Sequence, residues 1–81
     1  MLSDHQDSEH FSYEREWEEI EEMLHLAEGN MNNWIMKFHQ ASETNNRGVM
    51  REAARNKKAL EGVVKTLRWV LGDKNVDHPL E

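Results

Sequence analysis

Residues 49–71, VMREAARNKKALEGVVKTLRWVL, followed by Gly72, decide how this chain folds. Val49, Ala53, Leu60, Val63, Leu67 and Val70 recur at alternating spacings of four and three, with Asn56 in the remaining slot. That is the period of a helix laying one seam against another helix. Met50, Val64 and Leu71 widen the seam into a stripe suited to a bundle core. Asn56 within it is read either as a buried polar residue that sets register and partner number, or as a wet position where the helix is splayed.

Working outward, Tyr13, Trp17, Ile20, Leu24 and Ala27 repeat at the same spacing and predict a first helix over 13–28. Ser12 is its expected N-cap, and Glu14 and Glu16 suit the positive first turn. Gly29-Asn30 is expected to end it, Gly at the left-handed position and Asn as the next cap. Met31, Trp34, Ile35, Phe38 and Ala41 then mark a second helix over 31–43. Thr44 to Gly48 reads as a loop, with Thr44 or Asn45 capping a third helix over 46–71. The heptad phase nevertheless runs on through Ser42, Asn45 and Val49, so a single helix of some 40 residues competes with that loop. Two adjacent Asn and a nearby Gly favour the break. Residues 1–11 read as a disordered tail, 12–72 as the helical domain and 73–81 as a C-terminal tail that Pro79 keeps from extending the helix.

The predicted fold is therefore all-α: a three-helix bundle, or a helical hairpin with a long third helix. A chain of 81 residues, 37% hydrophobic and without cysteine, has little core of its own, and self-association is the expected remedy. The seam of Val49, Ala53, Asn56, Leu60, Val63, Leu67 and Val70 is the expected oligomer contact. No run approaches the ~18 apolar residues of a membrane span, and the absence of cysteine fits a cytoplasmic setting.

Charge is distributed unevenly. Residues 1–28 hold ten acids against Arg15 alone, whereas the rest of the chain is mildly basic, within a net charge of −6. The two halves either neutralise each other inside the fold, or the acidic helix faces a basic partner. Glu14, Glu18, Glu19 and Glu22 are the candidate partner-binding residues. Such spaced acids also resemble the charge pattern with which small DNA-mimicking inhibitors occupy a basic groove.

A second stripe on the last helix, Arg55, Ala59, Gly62, Thr66 and Trp69, lies beside Arg51, Lys58, Lys65 and Arg68. A helix-interior Gly costs about 1 kcal/mol relative to Ala, so Gly62 suggests that something comes close. The stripe reads as a further packing face or as a ligand groove. In the latter, Trp69 stacks a base while Arg55, Lys65 or Arg68 holds phosphate.

Catalysis finds no support: there is no cysteine nucleophile, phosphate loop or recognisable Ser constellation. The chain is not expected to be an enzyme or to carry a cofactor. Glu22 and His25 have the Glu-x-x-His spacing of di-iron bundles, but one copy on a polar face does not make a metal site.

The segment Ala53–Asp73, AARNKKALEGVVKTLRWVLGD, resembles small helical proteins encoded by bacteriophages. Leu60-Glu61 followed by Val63 is also similar to the helical phage sponges that sequester cyclic nucleotides, although none of that family's ligand residues maps onto this sequence. The resemblance implies a host-interacting protein that acts by binding. The sequence thus predicts a non-catalytic protein-interaction module, a homo-oligomer with another protein as partner. The alternatives are a nucleotide-sequestering protein using the Gly62–Trp69 face and a metal-bound helical bundle. Nucleic acid and membrane are not expected partners.

Overall fold

The computed structural model describes Phe11 and residues 14–80, and it is all-helical. Two helices, α1 (Trp17–Glu43) and α2 (Arg47–Val70), form an antiparallel hairpin. The expected Ser12 cap and the 1–10 tail lie outside the described residues.

Helix α1 starts one turn later than its periodicity suggests. Glu14–Glu16 are non-helical, and Glu16 caps the helix. Its backbone N–H donates to Glu19 Oε1 at 3.0 Å, the returning half of a capping box. Acids at Glu18 and Glu19 then sit in the positive first turn.

The expected break at Gly29-Asn30 does not occur, so the predicted helices 13–28 and 31–43 are one helix, and the described residues form two helices where three were expected. The reason lies in packing. Leu24, Ala27, Met31, Ile35, Phe38 and Ala41 keep one unbroken four-three phase across Gly29, and all of them are wholly or partly buried. Ending the helix would turn half of that stripe away from α2. Gly29 and Asn30 are both exposed, so they oppose the helix only through backbone propensity, at about 1 kcal/mol for the Gly.

The real turn is Thr44–Asn46. Asn45 adopts φ 59°, a left-handed conformation that Asn tolerates better than most residues. Around it the N–H of Asn46 reaches Ala41 O at 2.9 Å and that of Asn45 reaches Ser42 O at 3.3 Å, a Schellman closure of α1. Asn46 then turns its side chain forward, Oδ1 accepting from the Val49 N–H at 3.2 Å. The cap of α2 is thus Asn46 rather than Thr44 or Asn45. Gly48 belongs to the first turn of α2, and a 40-residue helix through this region is excluded. At the far end, Gly72 at φ 86° closes α2 in the same way, with Asp73 N–H on Arg68 O and Gly72 N–H on Trp69 O.

Where the helices meet, the buried side chains are Ala27, Ala41, Ala53 and Val64, and none of the larger ones is fully buried. Leu60 and Leu67 of α2, Leu71 just beyond its end, and Ile20, Leu24, Met31, Ile35 and Phe38 of α1 are half-buried around them. The seven seam positions of α2 accordingly separate. Ala53 is fully enclosed against α1, Val49, Asn56, Leu60 and Leu67 are partly covered, and Val63 and Val70 stay exposed. The position facing α1 is Val64 instead of Val63. Asn56 bonds locally, its Nδ2 donating to Glu52 O at 2.9 Å, so it does not reach across to α1 to set register.

Two substitutions test this arrangement. Gly29→Ala adds a Cβ that meets nothing within 4 Å, so it should stabilise the hairpin by up to about 1 kcal/mol. A fall in the melting temperature would count against a continuous α1. Ala53→Leu should destabilise by about 1–3 kcal/mol, because it forces the helices apart at their closest point. Thermal unfolding followed by circular dichroism reads both.

Candidate functional site

The acidic residues of α1 do not form one cluster with one role. Glu14, Glu18 and Glu22 are exposed; Glu18 and Glu22 stand one turn apart on α1, and Glu22 borders a cleft between the helices. Glu19 points elsewhere. It holds the Glu16 N–H, pairs with Arg15 at 3.8 Å across two exposed side chains, and borders a cleft between the helices. The anticipated neutralisation of acidic α1 by basic α2 is slight: among the described residues one ion pair joins the helices, Arg68 Nη2 with Glu28 Oε2. The bond to Glu28, and then its negative charge, raise the Arg68 pKa above its ordinary value. Glu18, Glu21 and Glu22 have no ion-pair partner among the described residues, so the open end of the hairpin carries a negative surface.

The Gly62–Trp69 stripe is also brought together only in part. Arg55, Ala59, Gly62, Thr66 and Trp69 are all exposed on the outer side of α2. A Cβ on Gly62 would meet nothing within 4 Å, so no close approach within the hairpin explains that glycine. Arg68 is drawn away to Glu28, and Lys65 is partly covered. Trp69 meets the C-terminal segment instead, its ring 6.3 Å from that of His78 at a tilt of 50°.

Two features went unseen in the sequence. A groove of about 350 Å³ lies on one side of the hairpin between Ile35, Phe38 and His39 of α1 and Ala53, Ala54, Lys57 and Lys58 of α2. It opens because two adjacent alanines sit opposite a phenylalanine, a signal present in the sequence but weak. On the other side, towards the open end, Ile20, Met23 and Leu26 of α1 form a cleft of about 550 Å³ with Leu67 of α2, bordered by Arg15, Glu19 and Glu22. Met23 and Leu26 belong to no predicted face, yet they are three residues apart and share a side of α1 with half-buried Trp34. The Lys37 ammonium lies 4.3 Å from the Trp34 ring, a cation–π contact.

Glu22 and His25 are both exposed, and among the described residues no three His, Cys, Asp or Glu side chains gather where a metal ion could be held. No helix among them is long and apolar enough to cross a membrane.

Comparison with protein-family models, with curated proteins and with solved structures found no match to this chain. What defines its class is the hairpin itself: two amphipathic helices that bury small residues against each other and leave large apolar and acidic side chains outside.

Proposed function

We propose that this protein is a non-catalytic interaction module, a self-associating helical hairpin that presents the acidic face of α1 to a basic protein surface. The observation carrying this reading is the inversion of its apolar residues. Buried positions are three alanines and a valine, while Trp17, Met23, Leu26, Met36, Val63 and Trp69 are exposed. A two-helix unit with so slight a core gains stability by covering those side chains with another polypeptide. The acids at Glu14, Glu18, Glu19 and Glu22 name the charge of the partner. The resemblance of Ala53–Asp73 to phage-encoded helical proteins supports a host-directed role in the cytoplasm, as an inhibitor that occupies a basic groove.

Reversing Glu18, Glu19 and Glu22 to Lys should abolish capture of basic partners on the immobilised chain at low salt. Raising the salt should release them from the unaltered protein, since exposed charges are screened beyond a Debye length of ~8 Å at physiological ionic strength. Capture that survives both the reversal and high salt would overturn the acidic-face reading.

A second reading rests on the openness of Gly62 beside half-exposed Trp69. It is a nucleotide-sequestering face, with Arg55 as the phosphate-holding base and no cofactor or metal involved. The signal to follow is the difference in emission between the unaltered chain and Trp69→Phe, because Trp17 and Trp34 also fluoresce. A difference that responds to cyclic or linear nucleotides supports sequestration, and one that stays flat across the panel removes it.

A further inference from the structure

We propose that a second copy of this chain covers the apolar cleft at the open end of the hairpin, so that two hairpins stack face to face as an antiparallel four-helix bundle. The inference rests on the reading of the chain as a binding module and names the surface through which it self-associates. That surface is built from both helices and is not the seam of α2 alone.

The cleft side is fixed by neighbouring residues. Leu67 borders the cleft with Met23 and Leu26, whereas Arg68, the next residue, reaches Glu28 on the opposite side. Val63 and Val70 stand four before and three after Leu67, so they flank it on the cleft side. Met23 is 53% exposed, Leu26 54%, Val63 42% and Val70 40%. Together these four form a contiguous run of exposed apolar side chains rimmed by polar ones, the kind of surface that marks a contact site. Half-buried Ile20 and Leu67 continue the same apolar surface between them. Stacking two such faces turns a one-layer hairpin into two layers with large side chains between them. The hairpin lacks that core by itself.

Charge chooses the orientation. Glu19 and Lys37 are eighteen residues apart on α1, five full helical turns, so both project towards this face. A two-fold axis crossing α1 near Glu28 puts Glu19 of each copy alongside Lys37 of the other. The parallel alternative would bring both sets of acids, Glu19 and Glu22 among them, to one end, where like charges repel. The antiparallel bundle keeps the acidic ends apart and leaves Glu18 facing outward at both of them.

The first measurement is mass by sedimentation over a hundredfold dilution, where a dimer of the 9.6 kDa chain is expected. Leu26→Asp and Val63→Asp should each raise the dissociation constant at least about tenfold, as removal of a central apolar contact does. Met36→Asp, on the back of α1, should leave it unchanged. Lys37→Glu should weaken the dimer, and adding Glu19→Lys should restore it. Because the chain has no cysteine, Leu26→Cys should cross-link to its counterpart on oxidation, whereas Met36→Cys should not. Circular dichroism on the same samples separates dissociation from unfolding, and if an Asp variant unfolds the cysteine pair decides. A monomer at every concentration would overturn the proposal. So would a dimer that ignores Leu26→Asp and Val63→Asp and cross-links through Met36→Cys. Because Glu19 and Glu22 border the dimer face, the reversal that separates the two readings is Glu18→Lys alone, whose readout is capture of a basic partner while the dimer mass stays unchanged.

Discussion

Ala53 is fully enclosed between the two helices, with Ala27, Ala41 and Val64 as its buried companions, and the rest of the structure follows from that close approach. Helix axes pack about 8–10 Å apart depending on the side chains between them. Small residues at the meeting line favour the near end of that range. Larger apolar side chains then cannot fit between the helices. They are pushed to the two flanks, where each is covered on one side by the neighbouring helix and open on the other. Half-buried Ile20, Leu24, Leu60 and Leu67 have this form, and so do both grooves.

The same geometry limits what the hairpin gains by folding. Burying an apolar side chain stabilises by ~25 cal/mol per Å², and the enclosed residues here are among the smallest. Ordering two helices of 27 and 24 residues costs backbone entropy at every position, about 1–2 kcal/mol each before any compensation. Capping therefore matters more than in a larger domain. The Glu16–Glu19 box, the Asn45 and Gly72 closures and the Asn46 cap satisfy helix-end groups that a thin core cannot shelter. The Arg68–Glu28 pair contributes little to this balance, because both side chains face solvent. It marks the side on which Glu28 of α1 and Arg68 of α2 lie next to each other.

Much of this was legible in the residues. The all-helical class, the end of α2 at Gly72 and the loop after Glu43 follow from periodicity and turn chemistry. The error at Gly29-Asn30 came from weighing local signals above phase. Two breakers that would end an isolated helix were outweighed by a stripe from Leu24 to Ala41 that keeps contact with α2 only if the helix continues. At Thr44–Asn46 the phase also continued, yet there the chain does turn. The difference is a residue able to hold a positive φ, Asn45, followed by one able to cap, Asn46, and only the structure shows both in use. On α2, Val64 of the widened stripe is buried against α1 while Val63 of the seam stays exposed. Met23 and Leu26 were missed for a related reason: periodicity finds the face a helix turns to its first neighbour, and these two lie about a quarter-turn from it.

That quarter-turn bears on function. In a helix pair, the residues facing the partner helix stabilise the hairpin, and those perpendicular to the hairpin plane meet whatever lies above or below it. Along α1 the perpendicular positions include Glu19, Leu26 and Lys37. Along α2 they include Val63 and Val70. Apolar residues there gain nothing within one chain, since no third element covers them among the described residues. Charged residues would serve solubility better at the same positions. The acids instead gather at the start of α1, mostly on its outward side, so apolar and acidic surfaces occupy different directions of one helix. A surface divided in this way can take two occupants at once, one held by apolar area and one by charge. Self-association would then bring two acidic faces into one particle, and a basic partner with two matching sites would gain avidity from the pair.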